Sequence, residues 1–376
     1  MRKPAIKLIY NGRDISGLLG EWVTSLEYID HKHGKSDEVA VTVHNKTGQW
    51  LEEWAPKDGD TFTLDFGYED EMIPAGEFTV DDDGADGDAD GDTVNFKGLS
   101  TPSTKELRTR KSKAYENQSL CQIIEKIAGE HGFSVTGDIE DISFERVTQN
   151  GERDLEFIKR LSEDYGHYFS VKGKKLVFTS RDALRSRDQV RIIDRIENVA
   201  EQLLKRYSMR NRDYKAATEA KVSYHHPKKK KVIKGEASSE GDLGIMTSSG
   251  DIIKTEIRVE NEEQAKRVAK GRLDQRNADK ISGDLELVGD PTLVAGQIVE
   301  LKNFGKFSGR YVIARSKHTF QRSGYETGIT LEQVTDKQQA AGKKIRQNSG
   351  GGSGSGSSGS GANDLGVMGN DGVIRK

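Results

Sequence analysis

Residues 1 to about 100 alternate between apolar and polar positions with the period of two that is typical of β-strands. Val39–Val43, Thr61–Phe66 and Gly76–Val80 are rich in the β-branched and aromatic side chains that strands favour. Asn11-Gly12 follows the first apolar run and is a signal for a two-residue hairpin turn. Many short strands at close spacing predict an antiparallel barrel or sandwich.

The pattern changes to helical spacing between about residues 101 and 195. Ser119 and Gln122 form the capping-box pattern that begins a helix, and apolar residues follow at intervals of three and four. A second helix is predicted over about residues 154–165. Tyr168–Val171 and Leu176–Thr179 then read as a hairpin with a basic turn. These elements predict a small α+β domain.

Strands resume after about residue 198, with one further helix from Asn261 to about Asn277. Asn261 and Gln264 resemble a capping box. The fold class is therefore mainly β with α+β. The predicted divisions are a first β domain (1–100), an α+β domain (101–195), a second β domain (196–340), a linker (341–361) and a C-terminal peptide (362–376).

The last stretch of the chain differs in composition from the rest. Ser349–Gly361 contains only Ser and Gly, which predicts a flexible coil with an r.m.s. span of about 20 Å. The peptide that follows is either a disordered terminus or a tethered docking peptide for a partner. Five apolar residues favour docking: Leu365, Val367, Met368, Val373 and Ile374.

The composition excludes several classes of protein. The 376 residues suggest two to three domains, and no run approaches the roughly 18 apolar residues of a membrane-spanning helix. The net charge of −3 gives no overall attraction to nucleic acid or anionic lipid. A single cysteine, Cys121, excludes a disulfide framework and a Cys-rich zinc site. Without a secretory h-region near Met1, we expect a soluble protein made without secretion.

An acidic stretch between two strand-like segments is the strongest candidate for a metal site. Asp86, Asp88, Asp90 and Gly91 match positions 1, 3, 5 and 6 of an EF-hand loop. Position 12 is Lys97, where a bidentate Glu is needed, and the flanks are strands. We therefore predict a solvated hairpin loop and no metal, with a weak calcium or magnesium site as the alternative.

A basic run, His225–Lys231, lies between two strand-like segments and is predicted to form a hairpin tip. A solvated loop or a contact with an acidic partner surface fits it better than a nuclear import signal. No aromatic stacking platform accompanies it, so we do not expect single-strand binding and predict no sequence-specific nucleic-acid partner. The metalloprotease, Walker and nucleophile-elbow motifs are missing, and we predict no catalytic residues and no cofactor.

Three stretches together resemble the phage late control protein D family, the baseplate hub of contractile phage tails. They are Tyr115–Ala128, Gln149–Phe169 and Gly289–Leu301, in that order and spacing, followed by Phe307-Ser-Gly-Arg-Tyr311. The resemblance covers about residues 5–335. It does not include the Ser/Gly stretch or the acidic stretch.

The resemblance implies a homotrimeric ring with two related β-barrel domains in each subunit. One face of such a ring meets the hexameric tail tube protein and the other meets a trimeric central spike protein, among other baseplate proteins. We then expect a virion location, with host cytoplasm during assembly, and neither membrane nor sequence-specific nucleic acid as a partner. The equivalent hub of a type VI secretion system or a phage-like bacteriocin is the alternative, followed by a calcium-dependent binding module.

The family has no catalytic residues to carry over, so the residues selected are expected contacts with partners. They lie on the two helices of the α+β domain, in the turn from Gly305 to Tyr311 and in the C-terminal peptide. Phe307 and Arg310 lie in this turn, and Phe304 directly precedes it.

Overall fold

A computed structural model describes residues 2–16, 22–89, 91–100, 105–227, 230–240, 245 and 247–334. The fold is mostly β with several sheets, which confirms the predicted fold class. No helix among these residues is long and apolar enough to span a membrane. The Ser/Gly stretch, the five apolar residues of the C-terminal peptide, Asp90, Lys228 and Lys229 lie outside the described residues.

The N-terminal part forms seven strands of one large sheet, in the order β3-β4-β7-β6-β5-β1-β2. Leu8, Leu26, Phe62 and Phe78 are fully buried in its core. The strands are β1 (Pro4–Tyr10), β2 (Arg13–Asp14), β3 (Val23–His31), β4 (Glu38–His44), β5 (Thr61–Tyr68), β6 (Glu71–Asp88) and β7 (Gly91–Leu99).

The acidic stretch is part of a strand, and the prediction that it forms a loop is wrong. β6 pairs with β7 until Asp88 faces Gly91. Val94 and Phe96 on β7 are buried, and β4 pairs with the other edge of β7. This packing fixes β7 and holds the acidic strand beside it, although Asp and Gly have low β propensity.

The middle of the chain supplies the predicted helices. Ser119 and Gln122 form the predicted capping box, and Leu120, Ile123, Ile124 and Ile127 are buried. The elements are α1 (Lys105–Arg108), β8 (Lys111–Ser119), α2 (Leu120–Glu130), β9 (Ser134–Thr136), β10 (Ser143–Glu152), α3 (Asp154–Asp164), β11 (His167–Lys172), β12 (Lys175–Ser180) and α4 (Arg181–Arg185).

The remaining elements run from residue 189 to residue 333. They are β13 (Gln189–Asp194), α5 (Arg195–Ala200), β14 (Leu204–Asn211), β15 (Glu219–His226), β16 (Lys231–Ser238), β17 (Ile252–Glu256), α6 (Glu262–Asn277), β18 (Ile281–Val288), β19 (Ile298–Lys302), β20 (Gly309–Gln321) and β21 (Gly324–Gln333).

Helix α6 and the sheet β16-β15-β17 pack into the same core as α2 and α3. The predicted inner face of α6, which includes Val268 and Leu273, is fully buried there. The capping box at its start is only half formed: Asn261 accepts from Gln264 N, but the Gln264 side chain accepts from Glu260 N. Residues 217–273 therefore contribute to the core of the segment predicted as α+β.

Strand β20 joins the two halves of the large sheet. Its first part pairs with β19, and its second part pairs with β3, while β21 runs along its other edge. The register shifts between Ile313 and Arg315, where β20 changes partner. Ile313 is buried in the core of the C-terminal part, whereas Phe320 is buried in that of the N-terminal part. One strand therefore belongs to both halves of the sheet.

Candidate assembly interface

The C-terminal half of the sheet, in the order β14-β18-β21-β20-β19-β13, has two open edges. Within the described residues, β14 pairs only with β18, and β13 pairs only with β19. Helix α5 connects these two edge strands directly along the chain. Edge strands carry unpaired backbone groups that another chain can bind.

Helix α5 presents apolar side chains to solvent at this opening. Asp194 caps the helix by accepting from Ile196 N at 2.9 Å, and none of its six residues is buried. Ile196 is 58% exposed and Val199 is 51% exposed, and their spacing of three places them on one helical face. Ile192 on β13 and Tyr207 on β14 are also more than 40% exposed.

Two of the sequence-predicted contact residues lie at the same opening. Arg195 Nε donates to Asn303 O at 2.6 Å, which holds the turn after β19 against α5. The rings of Phe304 and Tyr207 meet edge to face with centroids 5.2 Å apart, and Phe307 packs partly buried beside this core. We call the group consisting of Ile192, Ile196, Val199, Tyr207, Phe304 and Phe307 the seam surface.

Arg310 has a different environment from the two phenylalanines. Its guanidinium group donates to Arg187 O, and part of it is buried. Phe304 itself is only 7% exposed, so its aromatic edge supports Tyr207. Sequence reasoning missed Ile196, Val199 and Tyr207, because two apolar residues three positions apart in a short segment do not reveal whether they are buried.

The outer face of β14 carries two arginines beside the seam surface. Arg206 lies opposite Glu286 on β18, and Arg210 lies opposite Ser282. Both arginines are exposed, and neither forms an ion pair within the part of the chain that the structure describes. Lys205, their neighbour, pairs with Glu326 at 2.5 Å.

A buried charge cluster connects the N-terminal half of the large sheet, its C-terminal half and the part of the chain that contains α2 and α3. Asp30 on β3 accepts from Lys172 Nζ on β11 at 2.5 Å and from Ala295 N at 2.9 Å. Asp37 lies 3.4 Å from the same ammonium group and accepts from His31 N. Burial and the charge of Asp30 raise the pKa of Asp37 to about 8. The cluster fixes the halves relative to each other rather than forming a reactive site.

Asp86 and Asp88 are the described residues of the alternative metal site. Asp86 accepts from Asn95 Nδ2 at 3.1 Å, and Asp88 lies beyond it on the same strand. No group of three or more potential metal ligands occurs among the described residues.

A pocket of about 590 Å³ near the start of α2 and α6 is lined mainly by amide and carboxylate side chains.

The described residues of the basic run include the paired ends of two strands, next to the predicted hairpin tip. β15 and β16 pair as far as His226 and Lys231, and Pro227 follows β15 directly. Lys231 forms an ion pair with Glu262 at 3.0 Å on the exposed start of α6. Part of this basic charge is therefore compensated within the chain.

Comparison with known proteins gives a consistent result. The family model described as "Phage tail baseplate hub (GPD)" matches residues 103–324. The "Probable baseplate hub protein" of Escherichia phage P2 is 26% identical over 178 residues, which are 46% of this chain and 45% of the phage P2 protein. The match to this relative therefore spans less than half of its length.

Three solved structures have the same fold at low sequence identity. The prophage MuSo2 43 kDa tail protein from Shewanella oneidensis has a TM-score of 0.61 and 16% identity, over 88% of this chain and 96% of that protein. The tail protein from Neisseria meningitidis MC58 gives 0.68 and 10%, over 88% and 97%. The E. coli c3393 protein, a component of the type VI secretion system, gives 0.52 and 13%, over 84% and 74%.

Proposed function

The chain belongs to the phage tail baseplate hub family, and we propose that three copies form a ring joining a hexameric tail tube to a trimeric central spike. The family is a structural one rather than a family of enzymes, and its place is the tail baseplate of the virion. The ring, its tube and spike partners, and assembly in the host cytoplasm are the proposal.

The shared strand β20 is the observation that carries this proposal. It joins two halves, each with its own core, into one sheet. Three copies of a chain with two such halves supply six units around one axis, which suits a hexameric tube on one face and a trimer on the other. Closed rings arise from head-to-tail contacts between different surfaces of identical subunits.

The seam surface supports self-association, because association would remove from water apolar side chains that the monomer exposes. Burying the exposed part of Ile196 or Val199, about half of each residue, stabilises an interface by about 1–1.5 kcal/mol before other costs. The predicted boundaries near residues 100, 195 and 340 remain part of the proposal. So do contacts of a spike or another baseplate protein with the C-terminal peptide.

The hub of a type VI secretion system or a phage-like bacteriocin is the second candidate. The observation that favours it is the structural likeness to the E. coli c3393 protein, whose description names that system. The molecular role would be the same, a ring at the base of a spike. Genes for sheath and tube without capsid genes beside them would favour this candidate.

The mass of the purified chain in solution tests the proposed ring. We expect light scattering to give three times the mass of one chain at micromolar concentration, and negative-stain micrographs to show rings. A compact monomer at every concentration tested contradicts the proposal.

Variants of the seam surface test where the subunits meet. Replacing Ile196 and Val199 together by Ser should raise the dissociation constant of the trimer at least tenfold, because two apolar contacts are lost. The thermal midpoint of the dissociated chain should not change, since neither side chain is buried. Val232→Ser, an equally exposed position on β16, serves as the control and should leave the trimer intact.

A further inference from the structure

We propose that the acidic part of β6, residues 81–88, binds along β14 of a second copy of this chain, beside the seam surface. The inference rests on the proposed ring and names the segments that meet in it. It assigns a function to the acidic stretch, which forms part of a strand.

Both segments have an edge of similar length along which the described residues form no strand pairing. The pairing of β5 with β6 ends at Thr79, so from residue 81 onward β6 pairs only with β7. β14 pairs only with β18 in the described part of the chain. An extended segment can add to such an edge through main-chain hydrogen bonds, and side chains on alternate positions then select the partner.

The charges on the two edges are opposite in sign and equal in spacing. After a register shift between Val80 and Asp82, Asp82 and Asp86 lie on the face of β6 that points away from the core, four residues apart. Arg206 and Arg210 lie on the outer face of β14, also four residues apart. Both pairs are therefore separated by roughly 14 Å along their strands. In a continuous sheet the outer faces align, so the two charge pairs would face each other.

The local surroundings of the arginines leave them available. Glu286 and Asp284 on β18 face the same side, but Asp284 accepts from Thr330 Oγ1, and Glu286 forms no ion pair with Arg206. On the inner side of β6, Asp83, Ala85 and Gly87 alternate with the outward aspartates. The small Ala85 and Gly87 would allow close approach to Tyr207 at the seam surface.

We place this contact between two copies, because the two strands are not neighbours in the sheet. Six strands lie between β14 and β6 in the order of the sheet, so the edges are about 34 Å apart along it at roughly 4.8 Å for each strand. The acidic edge belongs to one half and the arginine edge to the other. A contact between different halves of neighbouring copies is head to tail, which is the type that closes rings.

Charge reversal tests the pairing through the solution mass of the full chain. Arg206→Glu with Arg210→Glu, and separately Asp82→Lys with Asp86→Lys, should each raise the dissociation constant of the trimer at least tenfold. All four substitutions together should restore it. Lys234→Glu with Lys254→Glu, on the exposed sheet β16-β15-β17, is the matched control and should remain trimeric.

The outcomes separate this inference from the proposed ring. A trimeric wild type whose reversed variants also stay trimeric overturns the inference and leaves the ring intact. The inference is also overturned if the reversed variants lose the trimer and the chain with all four substitutions does not regain it. A wild type that is monomeric throughout overturns both.

Cross-linking gives a second, geometric test in chains with Cys121→Ser. A short bis-maleimide should join Asp86→Cys to Arg210→Cys when the two single variants are co-expressed, giving covalent dimers. Neither variant alone should cross-link, because the contact is head to tail. Cross-linking of one variant to itself, or none in the mixture, contradicts the inference.

Discussion

The ammonium group of Lys172 lies 2.5 Å from the Asp30 carboxylate, and this ion pair links β11 in the helical core to β3 in the N-terminal half of the sheet. Asp30 also accepts from Ala295 N, in the C-terminal half. Burial opposes the charge on Lys172, but Asp30 and Asp37 outweigh it and raise the pKa of the lysine.

Removing this lysine should destabilise the protein strongly. Lys172→Met leaves the buried Asp30 carboxylate without its cation, and we expect the free energy of unfolding to fall by about 3–5 kcal/mol. The thermal midpoint by calorimetry measures the loss. Lys174→Met, at a lysine that is 76% exposed, should change stability by less than about 0.5 kcal/mol. Equal losses in the two variants would contradict the structural role of the cluster.

Asp37 should make stability decrease as the pH rises. Its pKa is raised to about 8, whereas an unfolded aspartate titrates near 3.9. The folded chain therefore holds an extra proton between these values, and the free energy of unfolding falls with increasing pH, by at most about 1.4 kcal/mol for each pH unit. Asp37→Asn cannot ionise and should lack this component.

Thermal midpoints between pH 5 and pH 9 measure the effect as a difference between wild type and Asp37→Asn. We expect the variant to gain relative stability as the pH rises, with a plateau above about pH 8. Asp58→Asn, at an exposed position, is the control. A constant difference across the range would show that Asp37 does not titrate within it.

His318 should contribute to loss of stability in acid. Burial lowers its pKa to about 4, and its ring nitrogens contact Ser316 Oγ at 2.8 Å and the Tyr325 hydroxyl at 2.7 Å. An unfolded histidine titrates near 6.5, so the unfolded chain takes up the proton first, and stability falls as the pH decreases from about 6.5 to 4. His318→Gln should show a weaker dependence on pH in this range, whatever its cost at neutral pH.

The comparison needs a histidine outside the core. His225→Gln, on the exposed end of β15, should reproduce the wild-type acid dependence. If His318→Gln follows the wild-type curve as closely as this control, another group causes the acid sensitivity.

Deletion of residues 349–376 tests the C-terminal peptide as a tether for a partner. Leu365, Val367 and Ile374 offer apolar contacts at the end of a linker of about 20 Å. The truncated chain should keep its trimeric mass but recover less spike protein in a pull-down. Replacing the same segment by Gly and Ser of equal length separates the loss of apolar contacts from the loss of length. Equal recovery by all forms would exclude the docking function.

Local sequence signals predicted the helices and hairpins well. Ser119 and Gln122 determine the start of α2 through contacts within one turn, and β11 and β12 pair across a short turn. Such elements depend on neighbours in the sequence, so the pattern contains nearly all the information needed.

Contacts between distant segments could not be predicted in the same way. The change of partner within β20 depends on β3, which lies almost 300 residues earlier, and α6 packs on helices from another segment. Asp82 and Asp86 became strand residues because Val94 and Phe96 fix the neighbouring strand. Ile196 is exposed because no other element in the described part of the chain covers that face of α5, and the local sequence pattern does not show which helices are covered.

The continuity of β20 also has a mechanical consequence. The strand has 13 residues and is about 40 Å long. A force that pulls the two halves apart along it acts on many of its interstrand hydrogen bonds at the same time, instead of breaking them one by one. The load also passes through covalent backbone from one half to the other. A subunit built in this way transmits tension and torque as one piece, and we expect its weakest points under load to lie between subunits.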